Sequence, residues 1–380
     1  MKRAFLALLT LVAALLIYVY FFCYHPETLG RIPHGDILKR ISQSKNYDVS
    51  RKGFVNQNVD IMDRMFEKYS FLSSVIRYYF PTTVGWPEDK ILEKKEDLSP
   101  YNSKNNLSLY TWLGHSSILL KLSGKNILID PVFSAFASPL SFIAKRFQAP
   151  VYNLEELPKI DIILISHDHY DHLDYKTVQF FKEKETLFIT PLGVDSHLLH
   201  WGVSKEKVKT LDWWQKYEVD DLSFICTPSQ HMSGREGIEG YKTLWASFVI
   251  KSPKLKVYFS GDSGYDTHFK EIGDRFGPFD MAFLENGQYD KRWQAVHLMP
   301  YETAFAYKDL KAKRAFPIHW GMFNLSLHHW FSPPLDFYKN CNDCKIDLLP
   351  IGKIGRLDSI NDDSSIMLNY LKKMKDKNKI

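Results

Sequence analysis

Short apolar runs separated by polar turns fill the middle of the chain, and they predict a domain rich in β-strands. Between Leu107 and Ile129, strand-like runs meet at the turn 124–126 (Gly-Lys-Asn), as they do in β-hairpins. Further strand-like runs lie at 160–165, 187–190, 211–219, 222–227, 243–251 and 254–260, and helical patterns lie at 175–184 and 301–311. Strands in runs with helices between them predict an α+β domain, built as a four-layer αββα sandwich with its site at one edge of the paired sheets.

The N-terminus has a different pattern. After Lys2 and Arg3, residues 4–24 form an uninterrupted apolar run, and about 21 residues suffice to span a bilayer as a helix. The run continues into aromatic residues without a small-residue cleavage site, so we expect an uncleaved transmembrane signal-anchor in a single-pass membrane protein. Basic residues flank the run on both sides, so the side of the membrane on which the following domain lies stays open.

Composition and charge narrow the classes of partner. The chain is 45% apolar and 15% aromatic, which is enough for a substantial core. Its net charge is +5, but five Lys and one Asp among the last ten residues account for +4 of it. The rest of the chain therefore has no basic face, and nucleic acid is not an expected partner.

The densest candidate chemistry lies at 167–172, whose sequence HDHYDH follows the apolar run 160–165. Imidazole nitrogens and carboxylate oxygens suit a borderline metal such as zinc. The two residues of the pair Asp171-His172 are adjacent and can point to different places. The spacing H-x-H-x-D-H can therefore serve two metals.

Three residues downstream complete the ligand count. His231, Asp262 and His319 each follow a strand-like run, at the point where a loop begins. The predicted ligand sets are His167, His169 and His231 for one metal, and Asp171, His172 and His319 for the other, with Asp262 bridging them. We expect two Zn²⁺ ions as cofactors, with Fe or Mn as alternatives.

The order of these ligands resembles the metallo-β-lactamase fold superfamily of hydrolases. Other motifs are similar to the branch that contains N-acyl-phosphatidylethanolamine-hydrolysing phospholipase D and its bacterial relatives: YTWLGHSS at 110–117, IDP at 129–131, PSQH at 228–231, GQY at 287–289, RW at 292–293, H-x-x-P at 297–300 and IHWG at 318–321. The resemblance covers roughly residues 50–355. Met232, Gln288, Leu298-Met299 and Tyr301 depart from the branch, at positions expected to lie near substrate rather than on a metal.

Asp130, His297 and Asp171 have further expected roles. Asp130 resembles a buried acid of the family that holds a metal ligand or the backbone of the metal loop. His297 could donate to the developing oxyanion or to the leaving group, and its alternative is a surface histidine before a helix. Asp171 could orient the attacking hydroxide while binding its metal. The aromatic stretch from Phe133 to Phe147 is either a loop over the core or a lid that faces lipid or substrate.

These patterns divide the chain into four parts. We expect the signal-anchor at 1–25, a connector and N-terminal extension at 26–105, a metallo-β-lactamase-like hydrolase domain at 106–357, and a C-terminal helix with a Lys-rich tail at 358–380. Cys341 and Cys344 are either two ordinary thiols or one local disulfide.

The predicted function is a membrane-anchored, zinc-dependent hydrolase. Its expected reaction is phospholipase D-like phosphodiester hydrolysis on N-acyl-phosphatidylethanolamine or a related phospholipid. The alternative is a lactone, ester or amide hydrolase on a small metabolite, since the same metal-activated hydroxide can attack either centre. The expected partners are therefore the membrane and its lipid, and the oligomeric state stays open, with a homodimer as one alternative.

Overall fold

The protein is described by a computed structural model that covers residues 2–69, 85–103, 105, 107–235, 240–359, 361 and 364–378. The strands are β1 (Tyr47–Asp48), β2 (Gly53–Phe54), β3 (Leu109–Trp112), β4 (Ile118–Leu122), β5 (Lys125–Ile129), β6 (Ile162–Leu164), β7 (Leu187–Pro191), β8 (Val208–Leu211), β9 (Lys216–Val219), β10 (Leu222–Thr227), β11 (Ser247–Lys251), β12 (Lys256–Phe259), β13 (Met281–Glu285), β14 (Ala315–Ile318) and β15 (Ile354–Arg356). The α-helices are α1 (Lys2–Tyr18), α2 (Gly35–Ile41), α3 (Ile61–Lys68), α4 (Ser99–Asn102), α5 (Tyr175–Phe181), α6 (Asp195–His200), α7 (His268–Phe276), α8 (Pro300–Asp309), α9 (Ser332–Asn340) and α10 (Ser364–Lys377).

Two sheets form the centre of the fold. One has seven strands in the order β15-β3-β4-β5-β6-β7-β8, and the other has six in the order β14-β13-β12-β11-β10-β9. Strands β5 to β8 run parallel, as do β12 to β14, and the other pairs in these two sheets are antiparallel. The ends of the parallel strands therefore gather their loops at a common edge.

Side-chain alternation sorts the core into three apolar clusters. In β4, Ile118, Leu120 and Leu122 belong to the cluster shared by the two sheets, whereas Leu119 belongs to a cluster with α5 and α6. A third cluster joins the outer face of the six-stranded sheet to α7, α8 and α9. The predicted four-layer αββα sandwich is thereby confirmed, with one layer of helices on each outer face.

One buried cation interrupts the apolar alternation of β4. Lys121 is 1% exposed, and its ammonium donates to the carbonyls of Tyr101 (2.7 Å) and Ser103 (2.8 Å). These bonds satisfy a charge that would otherwise be costly to bury. The sequence ILLKL can therefore be buried along its whole length.

The predicted membrane-spanning helix over residues 4–24 is not found. Helix α1 ends at Tyr18 after 17 residues, and the chain continues as a π-helical turn, Val19–Cys23. At 1.5 Å per residue, the α-helical part is about 26 Å long, against about 30 Å for the hydrocarbon core of a bilayer. Among the described residues, no helix combines the length and the apolar character that crossing a membrane requires.

The N-terminal extension packs against the sandwich. Ile41 of α2 and Phe54 of β2 are buried in the cluster between the sheets. Arg40 forms an ion pair with Asp195 at the start of α6, with 2.6 Å between the charged atoms. Residues 59–79 also have a helical pattern in the sequence, of which the structure contains α3 at Ile61–Lys68, and residues 70–79 lie outside the described residues.

The prediction of one strand at 211–219 is wrong, because the regular strand is interrupted there and the chain passes from one sheet to the other. β8 ends at Leu211 in the seven-stranded sheet, and β9 begins at Lys216 in the other. Between them Trp214 adopts a left-handed backbone with φ of 71°. Trp213 is buried with its indole N–H donated to the carbonyl of Trp245 at 2.8 Å, so tertiary packing accounts for this crossover.

The C-terminal part closes the sandwich. A disulfide joins Cys341 and Cys344 just after α9, which resolves the alternatives left open by the sequence. Helix α10 places Met367, Leu371 and Met374 in the cluster between the sheets. The predicted C-terminal helix is therefore present and packed.

Replacing Arg314 by methionine should lower the free energy of unfolding by about 3–5 kcal/mol. Arg314 is 7% exposed and pairs with Asp347 at 3.1 Å. Its guanidinium also donates to the carbonyls of Arg356, Leu357 and Ser359. Methionine would remove these hydrogen bonds and leave the buried carboxylate of Asp347 without its cation, and urea denaturation would measure the loss.

The neighbouring Lys313 provides the control. Its side chain is 62% exposed and pairs with Asp280 at the surface. Lys313→Met should therefore change the unfolding free energy by no more than about 1 kcal/mol. Equal losses in the two variants would contradict the role given to Arg314.

Candidate metal centre

The loop between β6 and α5 carries four of the predicted ligands in a compact turn. The carbonyl of His169 accepts hydrogen bonds from the backbone N–H groups of His172 (3.0 Å) and Leu173 (2.8 Å). Asp174 then caps α5 by accepting from the N–H (3.2 Å) and the hydroxyl (2.6 Å) of Thr177. Fixed at both ends, the turn directs the side chains of the HDHYDH segment into the site.

The first predicted ligand set comes together. His167, His169, His231 and Asp262 each offer a donor atom, and these atoms all lie within 4.8 Å of one another. His169 Nδ1 lies 3.0 Å from His167 Nε2 and 3.2 Å from His231 Nε2. Three converging imidazole nitrogens beside a carboxylate form a donor set that zinc accepts.

The second predicted set also comes together, with one addition. Asp171, His172 and His319 form a buried group in which all donor atoms lie within 4.8 Å of one another, and His115 joins them. His319 Nε2 is 3.3 Å and His172 Nε2 is 3.5 Å from Asp171 Oδ2. His115 Nε2 is closer still to the same oxygen, at 2.8 Å.

Asp262 lies between the two sets. Its Oδ2 atom is 3.1 Å from His319 Nε2 and 3.2 Å from His172 Nε2. The same oxygen is 3.8 Å from Nε2 of both His167 and His231. This is the position that a bridging carboxylate requires.

Four of the histidine rings are held from behind through Nδ1. The contacts are His172 Nδ1 with Asp130 Oδ2 (2.7 Å), His167 Nδ1 with Ser166 Oγ (2.9 Å), His231 Nδ1 with the Val296 carbonyl (2.9 Å), and His319 Nδ1 with Glu285 Oε1 (3.3 Å) and the Gly287 carbonyl (3.4 Å). An outer partner on Nδ1 fixes the ring and leaves Nε2 for the centre, as in protein metal sites.

Two buried atoms show that the donor set fits a metal. Within the described part of the chain, His172 Nε2 and Asp262 Oδ1 are buried without a hydrogen-bond partner. Such orphaned polar atoms are costly unless something satisfies them. A divalent cation between the two sets would do so, and the nitrogen and oxygen donors are of the type that zinc binds.

Burial and neighbouring charges set the protonation of the site. Burial, reinforced by the surrounding imidazoles, holds the pKa of His167 and His231 well below the usual range. Burial alone would raise the pKa of Asp262, but His172 and His319 lower it well below its usual range. The first set thus presents neutral imidazoles and an anionic carboxylate, which are the ligating forms.

The second set holds protons that a cation would displace. Burial opposes protonation of His319, but the carboxylates of Asp262, Asp171 and Glu285 raise its pKa to about 10. Asp262 and Asp171 likewise raise the pKa of His172 well above its usual range, against the effect of burial. Metal binding here would therefore release protons.

Asp130 occupies the supporting position expected for it. The side chain is fully buried behind His172. It accepts hydrogen bonds from the backbone N–H (2.7 Å) and the hydroxyl (2.5 Å) of Ser166. One carboxylate thus holds both a ring of the second set and the backbone that leads into the metal loop.

His297 lies at the edge of the centre and is paired with Glu285. The His297 side chain is 16% exposed, and its Nδ1 forms a short contact with Glu285 Oε1. Its ring centroid is 5.1 Å from that of His231 and 5.3 Å from that of His319. Glu285 is itself fully buried and accepts from the backbone N–H of Ser263 at 2.6 Å.

Sequence reasoning missed two residues of the site. Glu285 ends the buried strand β13, and only its position as an acid directly after the apolar run 281–284 could have indicated it. From the sequence, the position of His115 next to Gly114 predicts only a residue that braces the turn there. Its backbone does exchange hydrogen bonds with the 319–320 segment, but its ring also contacts Asp171, so the expectation was incomplete.

A cavity of about 860 Å³ adjoins the first ligand set. His169 forms part of its wall, together with Arg235 and Met232. The other lining residues are mostly apolar or aromatic: Tyr24, Pro26, Leu29, Phe66, Pro139, Tyr170 and Tyr241 line the cavity, with Gly30, Ser233, Gly234 and Gly240. Of the positions that depart from the resembled branch, Met232 lies on this wall.

Other residues that depart from the resembled branch lie outside the lining of this cavity. Gln288 is buried, donates to the Phe323 carbonyl at 3.0 Å and accepts from the Leu325 N–H at 2.9 Å. Leu298 is fully buried in the cluster under α8, and Tyr301 is exposed. Gln288 therefore holds the 323–325 loop in place and is not one of the residues that line this cavity.

One part of the aromatic stretch from Phe133 to Phe147 packs as a loop over the core, and another part lies at the surface. Phe133 is buried in the cluster with α5, as a loop over the core would place it. Phe136 packs on the ring of His25 with 5.0 Å between ring centroids. Phe142 is 51% exposed. The middle of the stretch is thus available at the surface while its start is part of the core.

Comparison with known proteins gives one family match. Residues 125–320 match the model of the β-lactamase superfamily domain, which is just over half of the chain. This matched region contains all seven predicted ligands and His297.

Two related proteins are similar to this chain in sequence, and one solved structure is similar in fold. An uncharacterised protein of Mycobacterium tuberculosis is 40% identical over 228 residues, which is 59% of this chain and 61% of that protein. The N-acyl-phosphatidylethanolamine-hydrolyzing phospholipase D 1 of Caenorhabditis elegans is 33% identical over 252 residues, covering 63% of this chain and 70% of that protein. A possible metal-dependent hydrolase from Veillonella parvula shares the fold, with a TM-score of 0.53 at 14% identity over 66% of this chain and 99% of that one.

Proposed function

Because this chain belongs to the β-lactamase superfamily of metal-dependent hydrolases, in the branch related to N-acyl-phosphatidylethanolamine-hydrolysing phospholipase D, we propose that it is a phospholipase D-like phosphodiesterase. Its substrate would be N-acyl-phosphatidylethanolamine or a related phospholipid. The observation that carries this proposal is the position of the candidate metal centre, whose ligand His169 forms part of the wall of a largely apolar cavity.

Two zinc ions are the proposed cofactors. The residues that would hold them are His167, His169 and His231 on one side, and Asp171, His172 and His319 on the other, with Asp262 between them. When bound, such a pair supplies a nucleophile from water near neutral pH and neutralises charge that develops on the attacked group.

We propose that His297 supplies the proton that the leaving oxygen takes up. In the proposed reaction a water molecule gives up one proton to solvent, the resulting hydroxide adds to phosphorus, and the bond from phosphorus to the oxygen of the N-acylethanolamine breaks. That oxygen leaves with a proton from His297, which solvent then reprotonates, and phosphatidate remains. Glu285 would hold His297 through Nδ1 and so fix the orientation of the ring that donates the proton.

Asp171 would orient the attacking group. Its Oδ2 atom accepts from His115 Nε2 at 2.8 Å, so the orientation of the carboxylate is fixed. The side chain is 12% exposed, which makes Asp171 one of the more accessible groups of the second set. Asp171 is thus the carboxylate best placed to accept a hydrogen bond from the nucleophile.

The exposed apolar residues of the N-terminus support a lipid substrate. Phe5, Leu8, Leu11, Leu15, Phe21 and Phe22 are among the residues of this segment that are more than half exposed. The segment ends at Tyr24, which lines the cavity and pairs with Leu140 of the aromatic stretch. A lipid surface that covered these residues would lie beside the cavity through which an acyl chain could enter.

Charging the half-buried Phe136 together with the exposed Phe142 should separate a lipid from a soluble substrate. Phe136→Asp with Phe142→Asp should lower turnover on vesicles of N-acyl-phosphatidylethanolamine at least tenfold, because each phenyl ring loses about 1.5–3 kcal/mol of burial in the lipid surface. Turnover of a short-chain, water-soluble phosphodiester analogue should change little. The rate at which the phosphate-ester product is released, measured on both substrates, gives the ratio of vesicle activity to soluble activity.

Phe305 supplies the matched control, since it is 49% exposed and lies on α8 in the outer helical layer. Phe305→Asp should leave the ratio of vesicle to soluble activity unchanged. Equal losses on both substrates in the Phe136/Phe142 variant, with metal content intact, would count against a lipid surface. Cleavage of lactones or esters without any phospholipid turnover would replace the proposed reaction by the small-metabolite alternative.

A further inference from the structure

A side chain of the N-terminal extension holds the backbone of a predicted metal ligand. Asn56 follows β2, is 4% exposed, and lies far outside the 125–320 region that matches the family model. Its amide contacts His231, which is 175 residues further along the chain. We propose that Asn56 is a positioning residue for the metal centre. This inference rests on the metal-binding part of the proposed function and not on the choice of substrate.

The contact is a two-point pairing of amide groups. Asn56 Nδ2 donates to the carbonyl of His231 at 2.9 Å, and the backbone N–H of His231 donates to Asn56 Oδ1 at 3.0 Å. The side-chain amide thus satisfies both polar groups of one residue, as a neighbouring strand would.

His231 needs this partner because its backbone has left the sheet. Strand β10 ends at Thr227, and Gln230 makes the last bridge, to Gly264. A buried N–H and carbonyl without partners would each cost about 1–3 kcal/mol. Asn56 replaces the missing strand at the residue whose ring must reach the metal centre.

Asn56 is itself fixed in place. The indole N–H of Trp245 donates to Asn56 Oδ1 at 3.0 Å. The preceding backbone is tied down by Phe54 N–H, which donates to the Tyr241 carbonyl at 2.8 Å. The amide therefore forms a rigid support rather than an adaptable surface contact.

Together with one further bond, this support determines where the ring of His231 points. Its Nδ1 is held by the Val296 carbonyl at 2.9 Å, and its backbone is held by Asn56. With both ends fixed, Nε2 is directed toward His169 and Asp262. If the backbone support were removed, the ring could shift away from the other donors while the remaining ligands stayed in place.

The test measures metal affinity in Asn56→Ala and Asn56→Ser. Competition of the purified protein with a chelator for Zn²⁺ should show an affinity about 10–100-fold weaker than that of the wild type, as for other residues that hold a ligand from behind. The difference between the melting temperatures of metal-loaded and metal-free protein should shrink accordingly. In protein loaded with ¹¹³Cd²⁺, the resonance of the His231 site should shift or broaden more than that of the other site.

Two further variants calibrate the result. His231→Ala defines the affinity that remains when the ring itself is lost. Asn58→Ala, two residues along the same segment, removes only contacts with Arg64 and Asp266 and should keep the wild-type affinity. The serine variant retains a hydroxyl, so its Zn²⁺ affinity can be measured if the alanine variant does not fold.

The outcomes separate this inference from the proposed function. Wild-type Zn²⁺ affinity in either folded Asn56 variant, with equal loss of melting temperature in metal-loaded and metal-free protein, would show a purely structural role and overturn the inference. Failure of the wild-type protein to bind Zn²⁺ or Cd²⁺ would instead overturn the metal centre and both proposals with it. Absence of phospholipase activity alongside the expected affinity loss would leave the positioning role standing.

Discussion

Replacing Asp262 by alanine should remove most of the bound metal and lower turnover by about four orders of magnitude. Its Oδ2 atom lies within 4 Å of a nitrogen from each of His167, His172, His231 and His319, so its loss affects both ligand sets. A metal pair contributes several kcal/mol to such a reaction, and each 1.36 kcal/mol changes the rate tenfold. Elemental analysis should give about two metal ions per wild-type chain, the number implied by two ligand sets.

The control lies four residues further along the chain. Asp266 is a partly exposed carboxylate that contacts Asn58 and Thr267 at the surface. Asp266→Ala should keep wild-type metal content and turnover, while His167→Ala should lose metal as Asp262→Ala does. Full metal occupancy in both the Asp262 and His167 variants would refute the assignment of the site.

Replacing His297 by alanine should lower turnover by about 10²–10⁴-fold while metal content stays at the wild-type level, since general-acid groups contribute rate factors of this size. The effect should depend on the leaving group, because His297 is proposed to protonate it. A nitrophenyl phosphodiester, whose leaving oxygen needs no proton, should be cleaved nearly as well by the variant as by the wild type. Steady-state rates on the two substrates, with metal analysis of the same samples, give the comparison.

Glu285→Gln extends this test to the partner of His297. The amide keeps the shape of the buried side chain but removes a carboxylate that contacts both His297 Nδ1 and His319 Nδ1. We expect a smaller loss with the same dependence on the leaving group, and metal analysis of this variant separates the two contacts. His200→Ala, at an exposed position of α6, is the histidine control. If His297→Ala lost metal, or lost equal activity on both substrates, His297 would be a ligand or a structural residue rather than the acid.

The ligands could be predicted from sequence because they lie in a dense motif and at the ends of strands. The HDHYDH segment follows a buried strand, and the chain places His231, Asp262 and His319 within four residues after the ends of β10, β12 and β14, at one edge of the sandwich. Apolar runs mark the strands, and the ends of neighbouring strands in a sheet converge. The sequence therefore contained both the chemistry and the reason for its convergence.

Other parts of the site have no local signal. Glu285 looks like any acid after a strand, and it matters only because β13 brings it against His297, His319 and the Ser263 backbone. Asn56 is one asparagine in a polar segment, and its contact with His231 spans 175 residues. Neither spacing nor residue type can predict such pairs, since the fold alone decides which distant residues meet.

Local patterns also predicted two elements that differ from those in the structure. The run 211–219 has strand character throughout, but packing of Trp213 and the turn at Trp214 divide it between two sheets. The apolar run at 4–24 predicted a membrane-spanning helix, whereas the α-helix ends at Tyr18. In both cases composition indicated the character of the segment but not where its regular structure would end.

By itself, then, the sequence predicted the αββα layers and the seven candidate donor side chains, whereas the supporting role of Asp130 came only from the resemblance to a known family. The layers and the donors follow from hydrophobic periodicity and from ligand chemistry, which act over a few residues at a time. The tertiary structure decided the pairing of Glu285 with His297, the support of His231 by Asn56 and the apolar cavity beside His169. Those features depend on which surfaces pack together, and packing is a property of the whole chain.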